Sequence, residues 1–109
     1  MSLGAYTLKK MYDALGHTGN EYYVRFVHYI NPLIWDDVAK ELVADPAWED
    51  SAILLVEEGL TGAFPIVVPA LLPAGRYDYI VYKIGGSTPQ NTDDVVKQET
   101  FQKGEEFGF

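Results

Sequence analysis

Carboxylates are the most abundant reactive groups in this 109-residue chain. It has sixteen Asp and Glu, and four doublets of like residues stand out: Asp36-Asp37, Glu57-Glu58, Asp93-Asp94 and Glu105-Glu106. Converging carboxylates could hold a divalent cation, or act as acid and base across a glycosidic bond. Neighbouring side chains on a strand point to opposite faces, so no doublet converges by itself, and the D-x-D-x-D-G spacing of a calcium loop is absent. The expectation is a solvated acidic surface. In the stretch NTDD, Asn91 or Asp93 should bond the local backbone and make a turn.

The other reactive side chains are sparse. His17 and His28 have no H-x-x-x-H or Cys companion spacing that would argue for zinc. Ser2, Ser51 and Ser87 are the only serines, and none sits in G-x-S-x-G. With no cysteine there is neither thiolate chemistry nor a disulfide framework. Gly85-Gly86 lacks the lysine and the spacing of a phosphate loop. No catalytic residue, metal ligand or cofactor site is therefore expected, and the chain reads as non-enzymatic; the residues of any binding site stay unassigned.

Aromatic residues offer a different chemistry. Eight Tyr, five Phe and two Trp could supply a platform on which a sugar or peptide stacks, using Trp35, Trp48 and the tyrosines. Such a platform needs at least two exposed coplanar rings on one face. The alternative is core packing, and LLPAGRYDYIVYK, residues 71 to 83, favours it. Pro73 and Gly75 suit a tight turn, after which Tyr77, Tyr79 and Val81 point one way while Asp78, Ile80 and Tyr82 point the other. A buried tyrosine needs a partner for its hydroxyl, which sandwiches find at a strand's end or corner.

The elements that would position these residues are mostly strands. NEYYVRFVHY, residues 20 to 29, alternates with Tyr22, Val24, Phe26 and His28 on one face and Tyr23, Arg25, Val27 and Tyr29 on the other, after the turn signal GHTGN and before a break at Pro32. From residue 51, SAILLVEE, AFPIVVPALL, RYDYIVYK and DVVKQETFQ are short runs separated by turn signals about every ten residues, the pattern of a sandwich or barrel. Pro65 and Pro69 place their strand at an edge or a bulge. One segment has a helical period: Trp35, Val38, Ala39, Leu42 and Val43, with Asp36 and Asp37 in the first turn and Pro46 beyond the end. A short helix near 35–44 is expected, docking Trp35 and Leu42 against something larger.

The fold class expected is mainly β: one antiparallel β-sandwich, immunoglobulin-like or prealbumin-like, of 6–8 strands over residues 1–109, with an N-terminal strand or arm at 1–15 and a C-terminal tail at 105–109. A formal charge of −8 repels phosphate backbones and anionic lipid, which argues against nucleic-acid and membrane partners. The N-terminal stretch MSLGAYTLKKMYDALG lacks the apolar core of a secretory signal, and no segment approaches the roughly 20 apolar residues of a membrane span, so a soluble intracellular product is expected.

The order Trp48, AILLVEEG, then TGAFPIVVPALLPAGRYDYIVYKIGGSTPQNTDDVV and a Gly near the C-terminus resembles small β-sandwich domains of structural and assembly proteins of tailed bacteriophages and prophages. The likeness spans roughly residues 20 to 104. It implies a virion or prophage component without catalytic residues, located in the virion or the host cytoplasm. Such a component packs against copies of itself, as a homo-oligomer, or against a neighbouring phage protein. The alternative function is a carbohydrate- or peptide-binding β-sandwich module of a bacterial protein.

Overall fold

The computed structural model describes residues 6–12, 20–28, 33–59 and 61–103. Along the chain they form β1 (Tyr6–Tyr12), β2 (Tyr22–His28), β3 (Ile34–Asp36), β4 (Glu41–Val43), a single helical turn α1 (Trp48–Ser51), β5 (Ile53–Leu54), β6 (Ala63–Val68), β7 (Gly75–Lys83) and β8 (Asp94–Lys103). All pairings are antiparallel. The large sheet has six strands in the order β4-β3-β2-β7-β8, with β5 pairing β2 alongside β3; β1 and β6 form a second sheet of two strands. The sheets pack face to face as an unequal sandwich.

The alternation of β2 and β7 decides which residues meet between the layers. Tyr22, Val24 and Phe26 of β2, with Tyr77, Tyr79 and Val81 of β7, face Phe64, Ile66 and Val68 of β6, and Trp35 and Leu72 complete the cluster. Each such side chain contributes about 1.5–3 kcal/mol by leaving water. Tyr77 and Tyr79 are therefore core residues, 0% and 1% exposed. Their hydroxyls find partners as buried tyrosines must. Tyr77 donates to the carbonyl of Pro73 at 2.7 Å, a corner four residues upstream, and Tyr79 donates to Glu99. Gly75 starts the strand at φ +151°, where a Cβ would lie 3.3 Å from His28 Nε2. That combination of dihedral and close approach favours glycine.

The opposite face of β2 and β7 is also occupied. Tyr23 and Tyr82 stack at 5.0 Å, and the Arg25 guanidinium lies 3.6 Å from the Trp48 ring centroid. Arg25 Nε donates to Ser51 Oγ at 2.8 Å and Nη1 to the Tyr82 hydroxyl at 3.3 Å. Trp48 Nε1 donates to the Tyr23 hydroxyl at 2.9 Å, and that hydroxyl donates to Asp93 Oδ2 at 2.8 Å. Helical turn α1 is thus held onto the outer face by a cation–π contact and a chain of hydrogen bonds rather than by a side-chain cap.

The helix expected near 35–44 is not formed. Residues 34–43 are the β3–β4 hairpin, in which Trp35 pairs with Leu42. Both arrangements put these two side chains on one face, two turns apart on a helix or directly opposed in a hairpin. Local chemistry decides for the turn. The Asp36 carboxylate accepts the N–H groups of Val38 and Ala39, each at 2.9 Å, and Lys40 takes φ +60°. Val38, on the apolar stripe of a helix, is 73% exposed in the hairpin. The one helical turn lies instead at Trp48–Ser51. SAILLVEE yields only the two-residue β5. The edge or bulge expected for the proline-containing strand is observed: among the described residues β6 pairs only with β1, and the register slips between Thr7 and Lys9 of β1, where Leu8 has no partner in the ladder. The turn at GHTG, the break at Pro32, Tyr29, His17, Ser2, the doublet Glu105-Glu106 and the tail 105–109 lie outside the described residues.

Candidate interaction surface

Strands lie about 4.8 Å apart, so a two-stranded layer about 10 Å wide covers less than half of a sheet five strands across. The inner face of the large sheet therefore projects past the small one on both sides. On the β8 side the projecting residues are the charged pair Lys97 and Glu99, followed on the same face by the half-buried Phe101 and by Lys103, which is buried at the strand's end. On the side of β3 and β5 they are apolar. There, Ile53, Val67, Pro69, Ala70 and Leu71 line a groove of about 310 Å³, with Trp35 beneath it and Asp37 and Lys40 at its rim. Val67 and Leu71 are 40% and 66% exposed, although both are large aliphatics.

The rim is set by the hairpin turn. Asp37 Oδ1 accepts the indole N–H of Trp35 at 3.0 Å and the Lys40 ammonium at 3.1 Å, which fixes the wall against the floor. The far wall, residues 69 to 72, is tied to β8: Lys103 Nζ donates to the carbonyls of Pro69 at 3.1 Å, Ala70 at 2.9 Å and Leu72. Lys103 is 4% exposed and burial lowers its pKa. Three carbonyls replacing water at one ammonium explain how a lysine is tolerated at the end of an otherwise apolar interior.

Among the described residues the carboxylate doublets do not converge on a common site. Asp36 caps its own turn, while Asp37 binds Trp35 and Lys40. Glu57 accepts the N–H of Gly62 at 2.7 Å, and Glu58 pairs with Lys10 at 2.8 Å, in a different direction. Asp93 accepts the backbone N–H groups of Gln90 at 2.8 Å and Gly85 at 3.0 Å, the local turn bonding expected of NTDD. Those two donors, from Gln90 and Gly85, hold its pKa down. Burial, together with the Asp93 carboxylate, pushes the Tyr23 hydroxyl up to about 12. Among the described residues no group of three or more His, Cys, Asp and Glu could hold a metal ion.

Nor do the rings form a platform. Trp35 is fully buried, Trp48 has the Arg25 guanidinium on its ring, and Tyr23 and Tyr82 stack on one another. Among the described residues Tyr12, at 68%, is the sole aromatic side chain standing largely in solvent. His28 packs edge-on against Tyr77 at 5.2 Å, and Ser51 serves Arg25 and the carbonyl of Trp48. The groove was missed by the sequence reading because its lining comes from three segments far apart in the chain. The signal that was available is Leu71 and Val67 flanking Pro69, apolar residues in a stretch that cannot continue as strand.

Among the described residues no helix is long and apolar enough to cross a membrane. No family model matches the chain, and no curated protein or solved structure is significantly similar to it.

Proposed function

We propose that this chain is a non-enzymatic structural or assembly domain of a tailed bacteriophage or prophage, working by contact with copies of itself or with a neighbouring structural protein, in the virion or the host cytoplasm. The observation that carries the contact reading is the groove, where large aliphatics stand in water at the mouth between the two sheets. An exposed apolar depression rimmed by charge marks a contact site more often than a reaction centre. The residues that could do chemistry are engaged in holding the fold: Arg25, Tyr23, Asp93, Glu99 and Lys103 each make internal hydrogen bonds. The phage assignment rests on the resemblance of residues 20 to 104.

The test combines multi-angle light scattering over a wide range of protein concentrations with co-expression of the products of the flanking genes. The expected result is a defined oligomer, or a defined complex with a flanking-gene structural protein, that Leu71→Asp disrupts. A monodisperse monomer at every concentration, with no complex among flanking products, overturns the reading.

A further inference from the structure

Helical turn α1 and the β7–β8 loop, residues 84 to 93, meet on the outer face of the large sheet at one atom, the Tyr23 hydroxyl. It accepts the Trp48 indole N–H at 2.9 Å and donates to Asp93 Oδ2 at 2.8 Å, with the Gln90 carbonyl 3.1 Å away. The same carboxylate accepts the N–H groups of Gly85 and Gln90, at 3.0 and 2.8 Å, and so closes the loop. The Tyr23 ring is fully buried and stacked on Tyr82, which makes its hydroxyl a fixed point between the two segments. Neither segment is anchored by hydrocarbon. The buried residue of α1 is Ser51, Trp48 is half-buried outside the apolar cluster between the sheets, and the loop is exposed from Gly85 to Thr88. Besides the Trp48 bond and the stacking of Arg25 on its ring, α1 is held by Arg25 Nε on Ser51 Oγ at 2.8 Å and by the Asp37 N–H on the Asp50 carbonyl at 2.8 Å.

Docking α1 also works against solvation. Arg25 is 6% exposed, yet its hydrogen bonds go to the neutral hydroxyls of Ser51 and Tyr82, and among the described residues no carboxylate pairs with it. A guanidinium desolvated without a counter-charge is unfavourable, so lifting α1 restores hydration that offsets the bonds broken. Segments with polar anchors and few buried apolar contacts open at a free energy well below that of global unfolding. We propose that α1 and the β7–β8 loop form one conformational device, a strap that lifts from the outer face as a unit through the Tyr23–Asp93 joint and uncovers Arg25 beside the Tyr82 ring. The structure holds the strap closed. Open, it presents a cation and aromatic faces on a chain that is otherwise acidic. The strap lies on the opposite face of the large sheet from the groove and is independent of the contact reading.

Native-state hydrogen exchange, read by NMR on the intact protein, tests the coupling. The bonded amides of Asp37, Ser51 and Ala52 on the α1 side, and of Gly85, Gln90 and Asp93 on the loop side, should exchange through one opening and faster than the centre of β2 and β7. Asp93→Ala alters the loop alone, yet it should speed exchange at Asp37 and Ser51 at least about fivefold, the factor contributed by one net hydrogen bond. Trp48→Phe alters α1 alone and should do the same at Gly85 and Gln90. In a Tyr23→Phe background, which keeps the stacked ring and removes the joint, both cross-effects should vanish. Wild-type exchange at the centre of β2 and β7 shows that a variant has folded, and because the two variants report in opposite directions, either one decides if the other does not fold. Labelling of Arg25 by an arginine-selective dicarbonyl, followed by peptide mass, should quicken in both. Cross-effects that are absent from the wild-type background, or that persist in Tyr23→Phe, overturn the proposal, as does Arg25 labelling indifferent to both variants.

Discussion

The two seams where the small sheet meets the large one are closed in opposite ways. Between β1 and β8, Lys9 Nζ reaches Glu99 Oε1 at 2.8 Å, and the same carboxylate accepts the Tyr79 hydroxyl from the core side. Between β6 and the β3–β4 hairpin with β5, no ion pair crosses among the described residues, and the gap is the aliphatic groove. Both seams arise from one geometric fact, a narrow layer on a wide one. What differs is the residue type placed on the overhang. Charge on an edge strand such as β8 discourages further strand pairing, and the register slip at Val96, where Val81 faces Lys97 and Tyr82 faces Val95, works in the same direction. The aliphatic seam has no such protection, so exposure there is a property of the surface that the fold tolerates rather than blocks.

The strongest perturbation of the contrast is to remove the floor of the open seam. Trp35→Ala deletes a fully buried indole that spans the hairpin, the core and the underside of the groove, and it leaves Asp37 Oδ1 with the Lys40 ammonium but without the indole N–H. A loss of about 3–5 kcal/mol is expected from the cavity and the lost burial, measured by denaturant unfolding. If the loss is below 1 kcal/mol, the hairpin is not packed as described. Lys103→Met comes next. It keeps the stem but removes the ammonium shared by three carbonyls, and leaving those acceptors without a donor should cost about 1–3 kcal/mol. Because these carbonyls belong to the wall of the groove, the same variant should also weaken any partner bound there. Tyr79→Phe acts on the closed seam, removes one hydrogen bond without opening a cavity, and should cost about 1 kcal/mol.

The sequence carried one seam better than the other. Period-two alternation in NEYYVRFVHY and RYDYIVYK locates β2 and β7 and assigns Tyr77 and Tyr79 to the interior, since every second residue must face one layer. Pro65 and Pro69 mark β6 as an edge by the donors they lack. The hairpin at 34–43 was not legible, because Trp35 and Leu42 fall on one face in either secondary structure and the Asp36 carboxylate on the backbone N–H groups of Val38 and Ala39 breaks the tie. The closed seam was illegible for another reason: Lys9 and Glu99 are 90 residues apart, and nothing local to either indicates the other. The groove needs β5, the hairpin turn and residues 67 to 71 in place together, so it exists only at the level of tertiary packing.

The smallest effect separates the seams by pH. The hydrogen bond from Lys9, then that from Tyr79 and the nearby Lys97 ammonium, hold the Glu99 carboxyl down to about 2 in the fold, against about 4.3 for an unperturbed glutamate. A folded-state pKa below the unfolded one means the contribution is fully present above about pH 4.3 and is lost as the pH falls toward 2. Glu99 is partly exposed and its ion pair is screened, so its share of stability is modest at physiological salt. The groove side has no counterpart between the sheets among the described residues, because the Asp37–Lys40 pair closes within the hairpin turn itself. Stability measured by urea unfolding from pH 5 to pH 2 should therefore fall less steeply in Glu99→Gln than in the wild type, with the difference shrinking as salt is added. Leu71→Asp should leave the wild-type slope from β1 and β8 in place. If instead Glu99→Gln and the wild type trace parallel curves through acid, the Lys9–Glu99–Tyr79 contact does not hold the two sheets together in solution, and the closed seam depends, like the open one, on hydrocarbon alone.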